Sequence, residues 1–73
     1  MRWRVRMVTR DERLREFTTD GTPSVDLPME LLCEDHVGTY VIPFACYWSN
    51  GLWLNSATGF KIAGKVVGWR AWG

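Results

Sequence analysis

Histidine occurs once and cysteine twice among the 73 residues, so the side chains that most often hold transition metals or act as nucleophiles are nearly missing. Zinc wants four ligands converging at about 2.0–2.3 Å. Cys33-x-x-His36, with Cys46, Glu34 and Asp35 near it in the chain, supplies one pair and no second pair. On a continuing strand, residues 33 and 36 point to opposite faces. That removes a Cys–His nucleophile couple, which also needs an orienting third group. Gly-rich phosphate loops and nucleotide motifs are missing too. The chain reads as non-enzymatic, with no cofactor and no metal.

A run of about 18 apolar residues, the minimum for a membrane-spanning helix, is also missing. Arg2, Arg4 and Arg6 interrupt the first residues, so the apolar core of a secretory signal is not there. The expectation is a soluble, cytoplasmic protein with no membrane partner. No internal repeat or low-complexity linker divides the chain, and residues 1–73 read as one small β domain. A net charge of +1 argues neither for nor against nucleic acid. The charge is unevenly spread, however. Residues 1–16 hold six Arg against Asp11, Glu12 and Glu16, whereas residues 20–35 hold five carboxylates and no base.

Aromatic and apolar residues are what the chain has in quantity: five Trp, and 47% hydrophobic residues overall. That composition excludes intrinsic disorder. A chain this short buries only about 60% of the surface its unfolded form exposes. Rings that bury roughly 150–250 Å² each can make up the deficit.

The apolar period is mostly two, which reads as strands. Residues 2–8, "RWRVRMV", alternate Trp3, Val5 and Met7 against the three arginines. Thr9 and Glu12 have the form of a capping box, so the spacing predicts a short helix over 10–17. "TTDGTPS" predicts a turn. "VDLPMELLC" then alternates, with Val25, Leu27, Met29, Leu31 and Cys33 on one face; Leu32 breaks the polar set opposite. Residues 39–48 predict a strand with Tyr40, Ile42, Phe44, Cys46 and Trp48 inward. Asn50-Gly51 predicts a two-residue hairpin turn that pairs Trp48 with Trp53. "FKIAGKVVGWRAW" predicts a last strand, bent at Gly64 or Gly68. The expected fold is mainly β: about five strands in a small antiparallel meander or half-barrel, SH3-like in shape. A hairpin of 25–33 with 40–48 sets Cys33 opposite Tyr40 and Cys46 opposite Leu27, which separates the sulfurs by about 20 Å.

Alternation makes Trp48 and Trp53 the interior of the fold, and candidate surfaces lie elsewhere. Trp69, Arg70 and Trp72 fall within four residues, and Trp and Arg are favoured interface anchors. They predict a site for a protein partner or for a second copy of the chain, a homodimer. Arg2, Arg4 and Arg6 with Lys61 and Lys65 form the alternative. Such a basic stripe could follow the phosphates of a single-stranded nucleic acid while an exposed Trp stacks on bases.

From residue 20 onward the pieces Asp20-Gly21-Thr22, "VDL", "NGLWLNSATG" and "VVGWRAW" run in an order that resembles short uncharacterised bacterial and phage-type β proteins. Their pattern is a "DGT" turn, an alternating strand, a "G-x-W" hairpin and a closing "V-x-x-W". The resemblance implies a compact β domain of bacterial type and carries over no catalytic residue.

Overall fold

A computed structural model describes residues 9–73. The strand expected over 2–8, with Arg2, Arg4 and Arg6, lies outside the described residues. The rest is mainly β, as the alternation predicts. A short helix, α1 (Arg10–Arg15), precedes β1 (Met29–Glu34), β2 (Thr39–Val41), β3 (Cys46–Ser49), β4 (Leu52–Asn55) and β5 (Lys65–Ala71). Every pairing among the five strands is antiparallel. Among the described residues, no helix is long and apolar enough to cross a membrane.

Strand β1 is the centre of the sheet. β5 pairs along its whole length, and β2 and then β3 take its other edge, with β4 beyond β3. Past β4, Lys61 and Ile62 pair with Leu54 and Trp53. Three residues later the chain is already at the opposite margin, as β5 beside β1. Three residues reach at most about 11 Å. Across a flat sheet with strands about 4.8 Å apart, the same span would be roughly 19 Å. The sheet must therefore curl, and its concave face holds the core: Leu31, Cys33, Ile42, Cys46 and Trp53.

The other face of β1 is covered as well. Leu32, which breaks the polar alternation, is fully buried. It lies opposite Gly68 of β5, and Phe17, itself buried, lies over Gly68. A Cβ at Gly68 would come 2.8 Å from Phe17 Cβ and 3.3 Å from the Thr18 carbonyl, so only glycine lets this segment approach. The capping box of Thr9 and Glu12 forms as expected, but the helix stops at Arg15. A helix of six residues has little stability alone. Tertiary contacts hold this one. Arg10 pairs with Glu34 at one end of the face, and Arg70 meets Glu30 (2.6 Å) and Glu16 (3.6 Å) at the other. The Arg70 guanidinium also lies 4.1 Å from the Phe17 ring centroid.

The hairpin after β3 forms as its Asn-Gly predicts. Asn50 and Gly51 both take positive φ, 53° and 76°, and Trp48 pairs with Trp53. Three strand boundaries differ from expectation. The strand expected over 25–33 begins only at Met29, because Asp26 takes a positive φ of 63° and Pro28 has no N–H to donate. Val25 and Leu27 are accordingly exposed, not inward. The strand expected over 39–48 is split at 42–45. Between the pairs Leu32–Val41 and Met29–Cys46 its register slips by two residues, around Pro43. Phe44 therefore reaches solvent, while Ile42 and Cys46 stay inside; Tyr40, before the slip, keeps its place opposite Cys33 and is exposed because β2 is an edge strand. The expected last strand forms only over β5, and its irregularity leaves Val67 without a partner on β1, next to Gly68.

Candidate functional site

The curl leaves an open groove of about 400 Å³ on the concave side. Trp48 of β3, Trp53 of β4 and Trp69 of β5 line it together with Ile62 and Val66. Each ring arrives by a different route. The Asn50-Gly51 turn sets Trp48 against Trp53, with ring centroids 5.1 Å apart and planes at 62°. Trp69 comes from far along the chain: it pairs with Leu31 of β1, which turns its ring to the same concave face, 5.9 Å from Trp53. Gly21, Thr22 and Pro23 form a further wall, from the loop that the sequence marks only as a turn.

Trp53 is buried at 8% exposure, whereas Trp48 and Trp69 are half-buried and pack against the core from its rim. The paired tryptophans are thus both interior and surface: Trp53 is the floor and Trp48 a wall. The groove has one charged side chain among its lining residues, Lys61.

An indole N–H donates and cannot accept. Among the described residues, none of these three indoles donates to another side chain or to the backbone, and no buried side-chain N or O lacks a partner. The backbones beneath the rings are partly engaged. Trp48 C=O accepts from Asp26 N–H while its other edge pairs with Trp53, and Trp53 C=O accepts from Ile62 N–H (2.9 Å). Trp69 pairs with Leu31 on one edge and exchanges two hydrogen bonds with Thr18 on the other.

No protein-family model, curated protein or solved structure matches the chain.

The structure divides the expected partner site between two faces. Trp69 turns into the groove, while Arg70 and Trp72 line a separate shallow hollow with Glu30. Period-two alternation requires this split for neighbours on a strand. Arg70 is engaged with Glu30, Glu16 and Phe17, and Trp72 is 43% exposed. The two lysines of the alternative stripe also separate. Lys61 is at the groove, whereas Lys65 pairs in register with Glu34 on the convex face, where Leu32 also lies.

The thiols are both free and both in the concave core. Cys33 faces Tyr40 as expected, but the slip at Pro43 sets Cys46 opposite Met29 and not Leu27, two residues nearer. Burial pushes the Cys46 thiol up to about 11, with the nearby Cys33 adding to the rise. Burial also raises Cys33, against a hydrogen bond from Tyr40 that lowers it. Neither is poised as a thiolate. His36 sits apart, in the exposed turn where Val37 and Gly38 N–H groups donate to Asp35 Oδ1. Among the described residues, no three His, Cys, Asp or Glu side chains cluster as a metal site would require.

Proposed function

We propose that this protein is a non-enzymatic protein-interaction module, and that its working surface is the groove of Trp48, Trp53 and Trp69. The observation that carries the reading is the convergence of three tryptophans from three strands on one open groove. Tryptophan is a preferred anchor of interfaces because it removes much apolar area from water and keeps a polar edge. A groove of about 400 Å³ is within the range of small recognition sites. High thiol pKa values speak against a cysteine mechanism. The close approach of the sheet margins supports an SH3-like curl. Of the expected anchors, Trp69 belongs to this surface, and Arg70 instead ties the helix to the sheet.

Selection of a random peptide library on the folded protein tests the reading. Selected peptides should lose binding to a Trp48→Ala variant whose circular dichroism is unchanged. Peptides that bind the variant as well as the parent, or a library that yields none, would sink it. Sedimentation at two concentrations addresses the second-copy form of the same idea: a groove filled by another copy predicts a dimer that Trp48→Ala dissociates.

A further inference from the structure

We infer that residues 2–8 of this chain add as a further strand to the free outer edge of β2. The inference is independent of the groove and concerns a different margin of the sheet.

β2 stands at the margin of the sheet and pairs with β1 alone. Two backbone hydrogen bonds bracket that pairing: Ile42 N–H donates to Leu31 C=O (3.0 Å), and Asp35 N–H donates to Gly38 C=O (2.9 Å). Bonded and non-bonded pairs alternate along an antiparallel ladder. Cys33–Tyr40, midway between those two bonds, is therefore a bonded pair. Thr39 and Val41 belong to the non-bonded pairs and turn their N–H and C=O groups outward. Among the described residues, nothing takes up these four groups. Tyr40, whose side chain shares the concave side with Cys33, is 40% exposed because no strand lies beyond it. With Thr39 it lines a shallow hollow that Asp35, Val37 and Gly38 complete. An open edge of this kind is a template for another strand.

The entry point of the chain, its pattern and its charge select the occupant. Arg10 pairs with Glu34, and Glu34 lies opposite Thr39, so the chain enters α1 at the end of the sheet where β2 starts. Residues 2–8, extended at roughly 3.3 Å each, span about 23 Å, and the three residues of β2 need only about 10 Å. The stretch runs toward the Glu34 end and β2 runs away from it, which gives the antiparallel sense of every other pairing among the strands. Trp3, Val5 and Met7 alternate with Arg2, Arg4 and Arg6. In one register the apolar set meets Tyr40 on the concave side and the arginines share the convex side with Glu34. A slip of one residue would exchange the two faces. Asp35, which has no ion-pair partner among the described residues, adds to the attraction. On the far side of β1, β5 begins at this end with Lys65, whose charge opposes an arginine-bearing neighbour. A second copy of the chain would have to be recruited from solution at the cost of its free motion. A segment of the same chain acts at an effective concentration on the order of millimolar, so it takes the edge first.

Amide exchange and nuclear Overhauser spectra of the ¹⁵N-labelled full chain test the assignment. Thr39 and Val41 amides should exchange slowly, and Tyr40 should show contacts to Trp3, Val5 or Met7. Of two successive strand residues, one turns its N–H toward β2, so the double variant Arg4→Pro/Val5→Pro removes a ladder bond in any register. It should speed exchange at Thr39 and Val41 by about tenfold or more, while Tyr40, bonded to Cys33, stays as protected as before. Fast exchange of Thr39 and Val41 in the parent overturns the inference. Protection that survives the double variant overturns it as well, and if that protection rises with protein concentration, a second copy holds the edge.

Discussion

Gly68→Ala decides by its sign whether the layer of Phe17 and Thr18 over β5 is real. Gly68 has no positive φ, so alanine fits the backbone. On sequence grounds the change should help: replacing a strand glycine stabilises by about 0.4–1 kcal/mol through the unfolded chain. The structure predicts the reverse. The new methyl would sit 2.8 Å from Phe17 Cβ, closer than any ordinary carbon contact. The obstacle is not the far end of a flexible side chain, so the Phe17–Thr18 segment has to move. Overpacking of this kind costs about 1–3 kcal/mol. Moving the segment also strains the two hydrogen bonds between Thr18 and Trp69 (2.8 and 3.0 Å), each contributing about 0.5–1.5 kcal/mol. Set against the unfolded-state gain, the net loss is about 1–4 kcal/mol, and a chain of this length has only about 4–11 kcal/mol in all. Urea and thermal melts followed by circular dichroism should show it as a fall in Tm of roughly 5–25 °C. Phe17→Gly in the same chain should remove most of the alanine's penalty, because the Cβ it meets is gone. A Gly68→Ala protein as stable as the parent, or more stable, would refute the placement of the helical segment.

Trp53→Ala should cost about 3–5 kcal/mol and lower the urea midpoint sharply, since Trp53 is the mostly buried ring between Trp48 and Trp69. Trp48→Ala, at the half-buried wall, should cost about half as much and leave a folded protein; urea melts of the two variants that coincide would contradict the division into floor and wall. The Arg10 guanidinium hydrogen-bonded to Glu34 holds that carboxyl below the ordinary glutamate value. A lowered folded pKa means that the pair's stabilisation is complete above the unfolded value of about 4.3 and disappears as pH falls through the folded one. Acid titration should therefore show a carboxyl resonance of Glu34 below its usual midpoint, and Arg10→Ala should return it to normal; an unchanged midpoint in that variant removes the ion pair. Cys46, buried and pushed up to about 11, should resist iodoacetamide at pH 8 until urea unfolds the chain. Fast labelling of the folded protein would show that the core is open.

The sequence alone determined the features that depend on near neighbours in the chain. Thr9 and Glu12 close a capping box because they are three residues apart, and Asn50-Gly51 makes its turn because both tolerate positive φ. That turn is enough to pair Trp48 with Trp53, but alternation read both rings as interior and not as part of a groove. Tyr40 keeps the face of Cys33, though exposed on the edge strand β2, and alternation placed Leu31, Cys33 and Cys46 inside correctly; it failed at Val25, Leu27 and Phe44. There Asp26 and Pro43 interrupt the strand, and once the ladder breaks, a period of two no longer reports which face is buried. Tertiary structure decided the rest. Leu32 looked like a flaw in a polar face until a second layer covered it through Gly68. Trp69 looked like one anchor of a Trp-Arg-Trp surface until its pairing with Leu31 turned it inward and left Arg70 on the other side. Both outcomes depend on residues 30 to 50 positions apart meeting across β1 and β5, and no local pattern encodes which strand will lie beside which.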